Sequence, residues 1–361
     1  MSSEDLQTPE QVAPGDCPVC CGQSRGSRGT VPGFVEGMIY EVFECETCHS
    51  QSVPSDTVIP VGLYDAVYRH AESLPGYYRY HRYADTTRNI KNPLYYLSRS
   101  EDVYWAVTSI LSERRGHGQG TVVIDVGSGL GYLTAALRAE GYEAWGTDVS
   151  SEAVQQATRR FGPWFFLAES SASWGDLEVE PDVIVALETI EHVSNPAKFL
   201  ASLAAKVNPG GEVLLSTPNK DRWSPECVWE TDLPPVHLHW LSEGGLRTLG
   251  RRIGCTVELV DFTEFNQLMG KPIVEVTLPT TTPQKAVLDS NLSPTGLAPP
   301  PQIDGFRDRL VRTPAFGRVV ALARRPRQHT DSELTPSQLT ARRRSNSAVA
   351  RYTSARDDPA N

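Results

Sequence analysis

Three groups of residues in this sequence have the side chains and spacing of chemistry. The first is Cys17-Pro-Val-Cys20 with Cys45-Glu-Thr-Cys48, two Cys-x-x-Cys pairs with residues 21–44 between them. Four thiolates in two tight pairs match a tetrahedral Zn²⁺ site. With sulfur at every position the ion has no open coordination site. Its role is then structural, a staple for a segment too short to build a core of its own. Cys21 and His49 adjoin these ligands and point away from the metal, while Cys227 and Cys255 read as buried packing residues.

The second group is the run Val122-Val-Ile-Asp-Val-Gly-Ser-Gly-Leu-Gly131, where a buried strand turns into a helix. Glycines at such a turn let the backbone approach a ligand and adopt conformations barred to other residues. A dinucleotide-binding turn would need its third glycine at position 132, which is Tyr132. The turn therefore suits a ligand without a pyrophosphate. Asp125, just ahead of the glycines, can attract an ammonium group. Asp148, at the end of the next strand, can accept hydrogen bonds from ribose hydroxyls. S-adenosylmethionine has a ribose, an amino acid ammonium and no phosphate. The candidate cofactor-binding residues are Asp125, Gly127, Ser128, Gly129, Gly131, Asp148 and Glu188.

The third group could remove a proton from an acceptor. It comprises Glu188-Thr-Ile-Glu-His192, just past the fourth strand, and Leu233-Pro-Pro-Val-His-Leu-His-Trp240, preceded by Trp223 and Trp229. His192, His237 and Glu191 are the candidate catalytic residues, with His239 a weaker one. The plainer alternative is that Glu191-His192 orients its loop and that the histidines of the second segment satisfy backbone groups.

These residues must be held by elements that the pattern supplies. Strands are expected over 121–126, 142–147, 164–167, 183–187 and 212–216, alternating with helices over 132–140, 151–160 and 196–207. Ser150 or Ser151 caps the second of these helices. A helix over 242–253 and strands over 256–263 and 316–323 close the series. The fold class is α/β, a doubly wound, mostly parallel seven-stranded sheet with a small zinc-binding module ahead of it. The module spans 16–55, a helical lid rich in tyrosine spans 56–112 in two or three pieces, and the main domain spans 113–326 with a Pro-rich insertion at 277–303. Nine of the 13 tyrosines lie between Tyr64 and Tyr104, most of them in packing roles and one or two against substrate. Residues 1–15 and 327–361 are polar and expected to be disordered.

Residues 120–220 resemble the class I S-adenosylmethionine-dependent methyltransferases. The resembling stretches are Val123-Ile-Asp-Val-Gly-Ser-Gly-Leu-Gly, Gly146-Thr-Asp-Val, Leu187-Glu-Thr-Ile-Glu-His-Val and Val207-Asn-Pro-Gly-Gly-Glu-Val-Leu-Leu-Ser-Thr-Pro-Asn219. The resemblance implies that Gly127 and Gly129 hold the methionine part of the cofactor and Asp148 its ribose, with Glu169 or Ser170 near the adenine. The Glu188-x-x-Glu191-His192 segment is similar to that of the ubiquinone-biosynthesis O-methyltransferases. That similarity implies a candidate divalent-cation site on Glu188, Glu191 and His192. Zinc ribbons precede such a core in sugar C-methyltransferases and in a bacterial ribosomal-RNA guanine methyltransferase, and neither resemblance covers the whole chain.

Composition narrows the partners. With 39% apolar and 22% charged residues, a 361-residue chain can bury a sizeable core. A net charge of -10 disfavours a nucleic-acid wrapper, even though residues 324–361 carry eight Arg against four acids. No run approaches the roughly 18 apolar residues that cross a bilayer, and the N-terminus does not read as a signal peptide, so a cytoplasmic protein is expected. The expected activity is methylation of a hydroxyl or activated carbon on a small, sugar-like or natural-product-like acceptor. The alternatives are an RNA base methyltransferase and a catalytically inactive zinc-ribbon interaction protein.

Overall fold

The computed structural model describes residues 15–74, 76–115, 118, 120–168, 174, 177–222, 230–269 and 318–324. Glu169, Ser170, Trp223, Cys227, Trp229, the 277–303 insertion and the 327–361 tail lie outside these residues.

The N-terminal part forms β1 (Arg25–Pro32), β2 (Ile39–Cys45) and β3 (Gln51–Ser52), then four helices: α1 (Leu63–His70), α2 (Tyr78–Asn89), α3 (Pro93–Ser100) and α4 (Asp102–Arg115). The sequence predicts two or three helical pieces here. A fourth arises because Glu101 is extended and separates α3 from α4.

The main domain follows as β4 (Val122–Val126), α5 (Tyr132–Ala139), β5 (Glu143–Asp148), α6 (Ser151–Phe161), β6 (Phe165–Leu167) and β7 (Val183–Leu187). It continues with α7 (Pro196–Lys206), β8 (Glu212–Pro218), β9 (His239–Trp240), α8 (Glu243–Arg252), β10 (Thr256–Leu259), α9 (Thr263–Leu268) and β11 (Arg318–Arg324). The strand predicted over 256–263 stops at Leu259. Asp261 accepts the Thr263 N–H at 2.9 Å and its hydroxyl at 2.7 Å, a local turn that starts α9 instead.

The main sheet runs β10-β11-β8-β7-β4-β5-β6. The five strands from β8 to β6 are parallel, and β11 and β10 continue the sheet antiparallel. Alternation along the strands divides the core into two faces. Ile124, Ile184, Val213 and Leu215 pack with α7 and α8, whereas Val123, Val183, Val185 and Leu214 pack with α3, α4 and α5. This is the doubly wound arrangement expected. Its strand order reverses between β4 and β7, and ligands bind at such reversals, outside the carboxyl ends of the strands. Helix starts are fixed locally: Ser150 caps α6 by accepting from Ala153 N at 3.1 Å, and Asn195 caps α7 from Lys198 N at 2.9 Å.

A second sheet has the order β1-β2-β3-β9. The cysteine-bearing segment therefore shares its sheet with a strand from the loop after β8, pairing Gln51 with Trp240 and Ser52 with His239. Behind it lies a third apolar cluster containing Phe34, Val53, Leu63, Leu233, Val236 and Trp240. No helix among the described residues is long and apolar enough to cross a membrane.

Candidate functional site

The glycine turn after β4 is tied to β5, because Gly127 N and Ser128 N both donate to Thr147 O, at 2.8 and 3.0 Å. Gly127 has φ 74° and Gly129 φ 52°, the left-handed region that favours glycine. A Cβ on Gly127 would stand 2.6 Å from Thr189 Oγ1, and one on Gly129 would stand 2.8 Å from the Tyr68 hydroxyl. The turn thus needs glycine both for its backbone and for the space beside it.

Two carboxylates flank this cradle. Asp148 Oδ2 accepts from Gly129 N at 2.9 Å and its Oδ1 from Ser150 N at 2.8 Å, which fixes the group at the rim of β5. Burial raises Asp148 to about 6, against the lowering effect of those two N–H groups. Asp125 accepts the Thr134 hydroxyl at 2.7 Å, and burial raises it to about 7. The buried Ser128 hydroxyl has no hydrogen-bond partner among the described residues.

Across the strand reversal, Glu188 opens the turn after β7 with φ 50°, unusual for a residue with a side chain. Ser216 of β8 holds it there: Glu188 N donates to Ser216 O at 3.0 Å, and the Ser216 hydroxyl donates to Glu188 Oε1 at 2.7 Å. Glu191 is 0% exposed, and neither of its carboxylate oxygens makes a hydrogen bond among the described residues. Burial, then the charge of Glu188, hold it well above the carboxylate range. The nearby Thr217 hydroxyl favours the charged form without reaching hydrogen-bond geometry.

His192 Nδ1 lies 2.6 Å from Val236 O, so Nδ1 carries the proton and donates it to that carbonyl. Its Nε2 is left basic, 4.0 Å from Glu191 Oε1. The His237 ring meets that of His192 edge to face at 4.5 Å, and His237 Nδ1 lies 4.0 Å from Asp232 Oδ1. Burial lowers His192. It lowers His237 further, with the neighbouring His192 and His239 adding to the effect. His239 donates through Nε2 to Val193 O at 2.9 Å, and burial lowers it to about 4. Side-chain exposure separates the first two, 20% for His192 against 7% for His237, so an acceptor reaches His192 more readily.

Ligand atoms of Glu191, His192 and His237 lie within 4.8 Å of one another. The sequence grouped Glu188 with Glu191 and His192. In the structure His237 takes that third place, because Ser216 holds Glu188 to the neighbouring strand.

Cys17, Cys20, Cys45 and Cys48 converge from the two turns, their sulfurs all within 4.8 Å of one another. Cys17 and Cys48 are 3.8 Å apart and Cys20 and Cys45 3.4 Å. At each turn a backbone N–H points at a sulfur: Gly22 N to Cys20 at 3.3 Å and Thr47 N to Cys45 at 3.4 Å. Such donors favour thiolate, and an all-sulfur donor set suits Zn²⁺.

The sequence suggests a tyrosine-rich lid over 56–112 but does not single out α1 as the element that joins the two halves of the site. Tyr68 stands over Gly129, and one turn earlier Tyr64 packs edge to face on His192 at 5.8 Å. Asp65, between them, accepts from Ser150 Oγ at 2.7 Å and Glu152 N at 3.1 Å, locking α1 to the start of α6. The i, i+4 spacing of Tyr64 and Tyr68 was visible, but nothing local assigned that face to the site.

Residues 101–260 match a family described as a methyltransferase domain. The ubiquinone biosynthesis O-methyltransferase of Photobacterium profundum is 30% identical over 107 residues, covering 28% of this chain and 46% of that one. The Methylococcus capsulatus enzyme of the same name is 35% identical over 106 residues, covering 28% and 45%. The chain thus spans about half the length of these curated relatives. Among solved structures, magnesium protoporphyrin IX methyltransferase from Synechocystis PCC 6803 aligns with TM-score 0.40 and 13% identity, covering 72% of this chain and 100% of that one. An S-adenosylmethionine-dependent methyltransferase from Mesorhizobium loti aligns with TM-score 0.42 and 17% identity, covering 62% and 97%.

Proposed function

We propose that the chain is a class I S-adenosylmethionine-dependent methyltransferase, built on the methyltransferase domain matched over residues 101–260, and that it methylates a hydroxyl or activated carbon of a small-molecule acceptor bound beside His192. One observation carries this reading: α1 sets Tyr68 at the glycine turn and Tyr64 on His192, so a single helix covers both halves of the cleft.

The glycine turn fits S-adenosylmethionine. The glycine backbone at 127–129 would approach its methionine part, Asp125 would attract its ammonium, and Asp148 would accept from ribose hydroxyls. Bound there, the cofactor supplies an electrophilic methyl group on a sulfonium. The chain supplies alignment and dryness. His192 Nε2 accepts the acceptor's proton while Val236 O fixes the ring tautomer. The tyrosines of α1 keep water from the reacting edge.

A second use of the same residues is favoured by the unbonded Glu191 oxygens. Glu191, His192 and His237 would hold a divalent cation, whose chemistry there is to polarise an acceptor oxygen. Glu191→Gln separates the two uses. A cation site predicts loss of any activation by added Mg²⁺, whereas a pure base mechanism predicts no Mg²⁺ dependence in either protein.

A small acceptor is favoured over RNA because basic residues near the cysteine module and α2 are engaged within the protein. Arg28 pairs with Glu44 at 2.7 Å, Arg79 with Glu101 at 3.0 Å, and Arg25 donates to Ser52 Oγ at 2.6 Å. The test is transfer of labelled methyl into a cell extract fractionated by size. Label in the small-molecule fraction is expected, and label confined to RNA would overturn the assignment.

A further inference from the structure

The loop carrying His237 and His239 is held between two bodies. On its inner side, Leu238 N donates to Glu191 O at 2.8 Å, Val236 O receives His192 Nδ1, and Lys220 N donates to Leu241 O at 2.9 Å. On its outer side the backbone hydrogen bonds come from the cysteine-bearing segment, while α1 adds the Tyr64 hydroxyl, which donates to Val236 O at 3.4 Å, and Leu63 in the same apolar cluster. Phe34 N donates to Pro234 O at 2.6 Å, and Val53 N donates to Leu238 O at 3.1 Å. Between these points β3 pairs with β9, and Phe34 and Val53 pack on Leu233, Val236 and Trp240.

The metal-binding turns themselves reach the end of this loop. The Ser242 hydroxyl donates to the carbonyl of Cys48, Ser242 N donates to Ser50 Oγ at 3.1 Å, and Ser242 in turn caps α8 through Gly245 N at 2.8 Å. From the other cysteine pair, Val19 O accepts Arg252 Nη1 of α8 at 3.0 Å. Both Cys-x-x-Cys turns are therefore bonded to α8, and the hairpin between them to the loop that precedes it.

We propose that the four-cysteine module is a positioning device for the acceptor side, so that metal on Cys17, Cys20, Cys45 and Cys48 governs acceptor use and not donor binding. A segment this short builds little core of its own, so a cation cross-linking its cysteines is a main hold on its two turns. Without that cross-link the loop loses its outer wall. Val236 O then no longer fixes the His192 tautomer, and His237 leaves the His192 ring. The donor half is built from β4 and β5, and none of its hydrogen bonds to Asp148 or the glycine turn comes from the module. α1 packs on the module through Leu63, Ala66 and Val67, but Asp65 pins it to the start of α6 through Ser150 and Glu152. The inference rests on the acceptor site assigned above, while its structural readout is independent of activity.

The test compares the full-length protein as loaded with zinc, stripped by a chelator, and reloaded with Zn²⁺. The stripped form should bind S-adenosylmethionine with unchanged affinity, yet lose amide-exchange protection over residues 233–242. Methyl transfer should fall by about a hundredfold, the cost of a small misplacement of catalytic groups, and return on reloading. A milder variant, Ser50→Ala, keeps all four cysteines. It should retain zinc and show partial loss of protection over the same residues. Unchanged protection of 233–242 in the stripped form would overturn the inference. So would joint loss of donor binding and overall helicity, since the module would then be a general fold staple. Failure of the zinc-loaded protein to bind S-adenosylmethionine would instead count against the methyltransferase reading.

Discussion

The rings of His192 and His237 meet edge to face with centroids 4.5 Å apart, joining the turn after β7 to the loop after β8. Burial disfavours protonation of both rings, and the neighbouring His192 adds to the effect on His237. Both are therefore neutral near pH 7, as a proton acceptor must be.

Replacing them separates chemistry from support. His192→Ala should lower kcat by about 10²–10⁴-fold with donor affinity intact, the range for loss of a positioned base. Activity within a few-fold of the parent would remove His192 from the mechanism. His239→Ala should instead lower stability by about 0.5–1.5 kcal/mol, because it removes the part-buried hydrogen bond to the Val193 carbonyl. Denaturant unfolding of the two variants distinguishes these roles.

The pH profile of transfer follows from the direction of the His192 shift. Its proton affinity lies below the ordinary imidazole value, so the acid limb of kcat should fall below pH 6.5 and the rate should be flat through pH 7. A limb centred above pH 7 would contradict a base held neutral by burial.

Donor binding should carry its own pH signature. In the free protein Asp148 is raised to about 6 and Asp125 to about 7, so both hold protons in a range where ordinary carboxylates do not. Ligand groups that donate hydrogen bonds or carry positive charge favour the ionised forms. Binding should release protons between pH 5 and 7 and strengthen as pH rises through that window. Without ligand the sign reverses. The folded state binds more protons than the unfolded one between the ordinary Asp value of 3.8 and these raised values. These two groups therefore lower stability as pH rises. Calorimetry in buffers of differing ionisation heat measures the proton release.

Gly129→Ala combines two penalties, a left-handed backbone at φ 52° and a Cβ 2.8 Å from the Tyr68 hydroxyl. The backbone part alone costs about 1–2 kcal/mol. Donor binding should be lost, and adding Tyr68→Phe should restore little of it, because the backbone term remains. Full recovery in the double variant would show that crowding, not backbone conformation, sets the requirement.

The legible features were those with a local cause. The central strands read directly from continuous apolar runs, the glycine turn from its place between strand and helix, and the cysteine cluster from two paired spacings. What could not be read depended on contacts distant in sequence. His239 and Trp240 form a strand only because Gln51 and Ser52 lie beside them, and a two-residue strand in a Pro-stiffened loop has no periodicity of its own. Glu188 left the expected cation group because Ser216, on the adjacent strand, holds its carboxylate. The role of α1 follows from where Asp65 docks, which no pattern within 63–70 encodes.

The turn between β4 and α5, with Asp148 at its rim, is the proposed site of the methyl donor. The most direct measurement is a calorimetric titration of the full-length protein with S-adenosylmethionine, alongside Asp148→Asn and His192→Ala. A single saturable site is expected in the parent and in His192→Ala. In Asp148→Asn affinity should be weaker by about 10–100-fold, the worth of charge-assisted hydrogen bonds. No binding to the parent, or equal affinity in Asp148→Asn, would contradict that assignment.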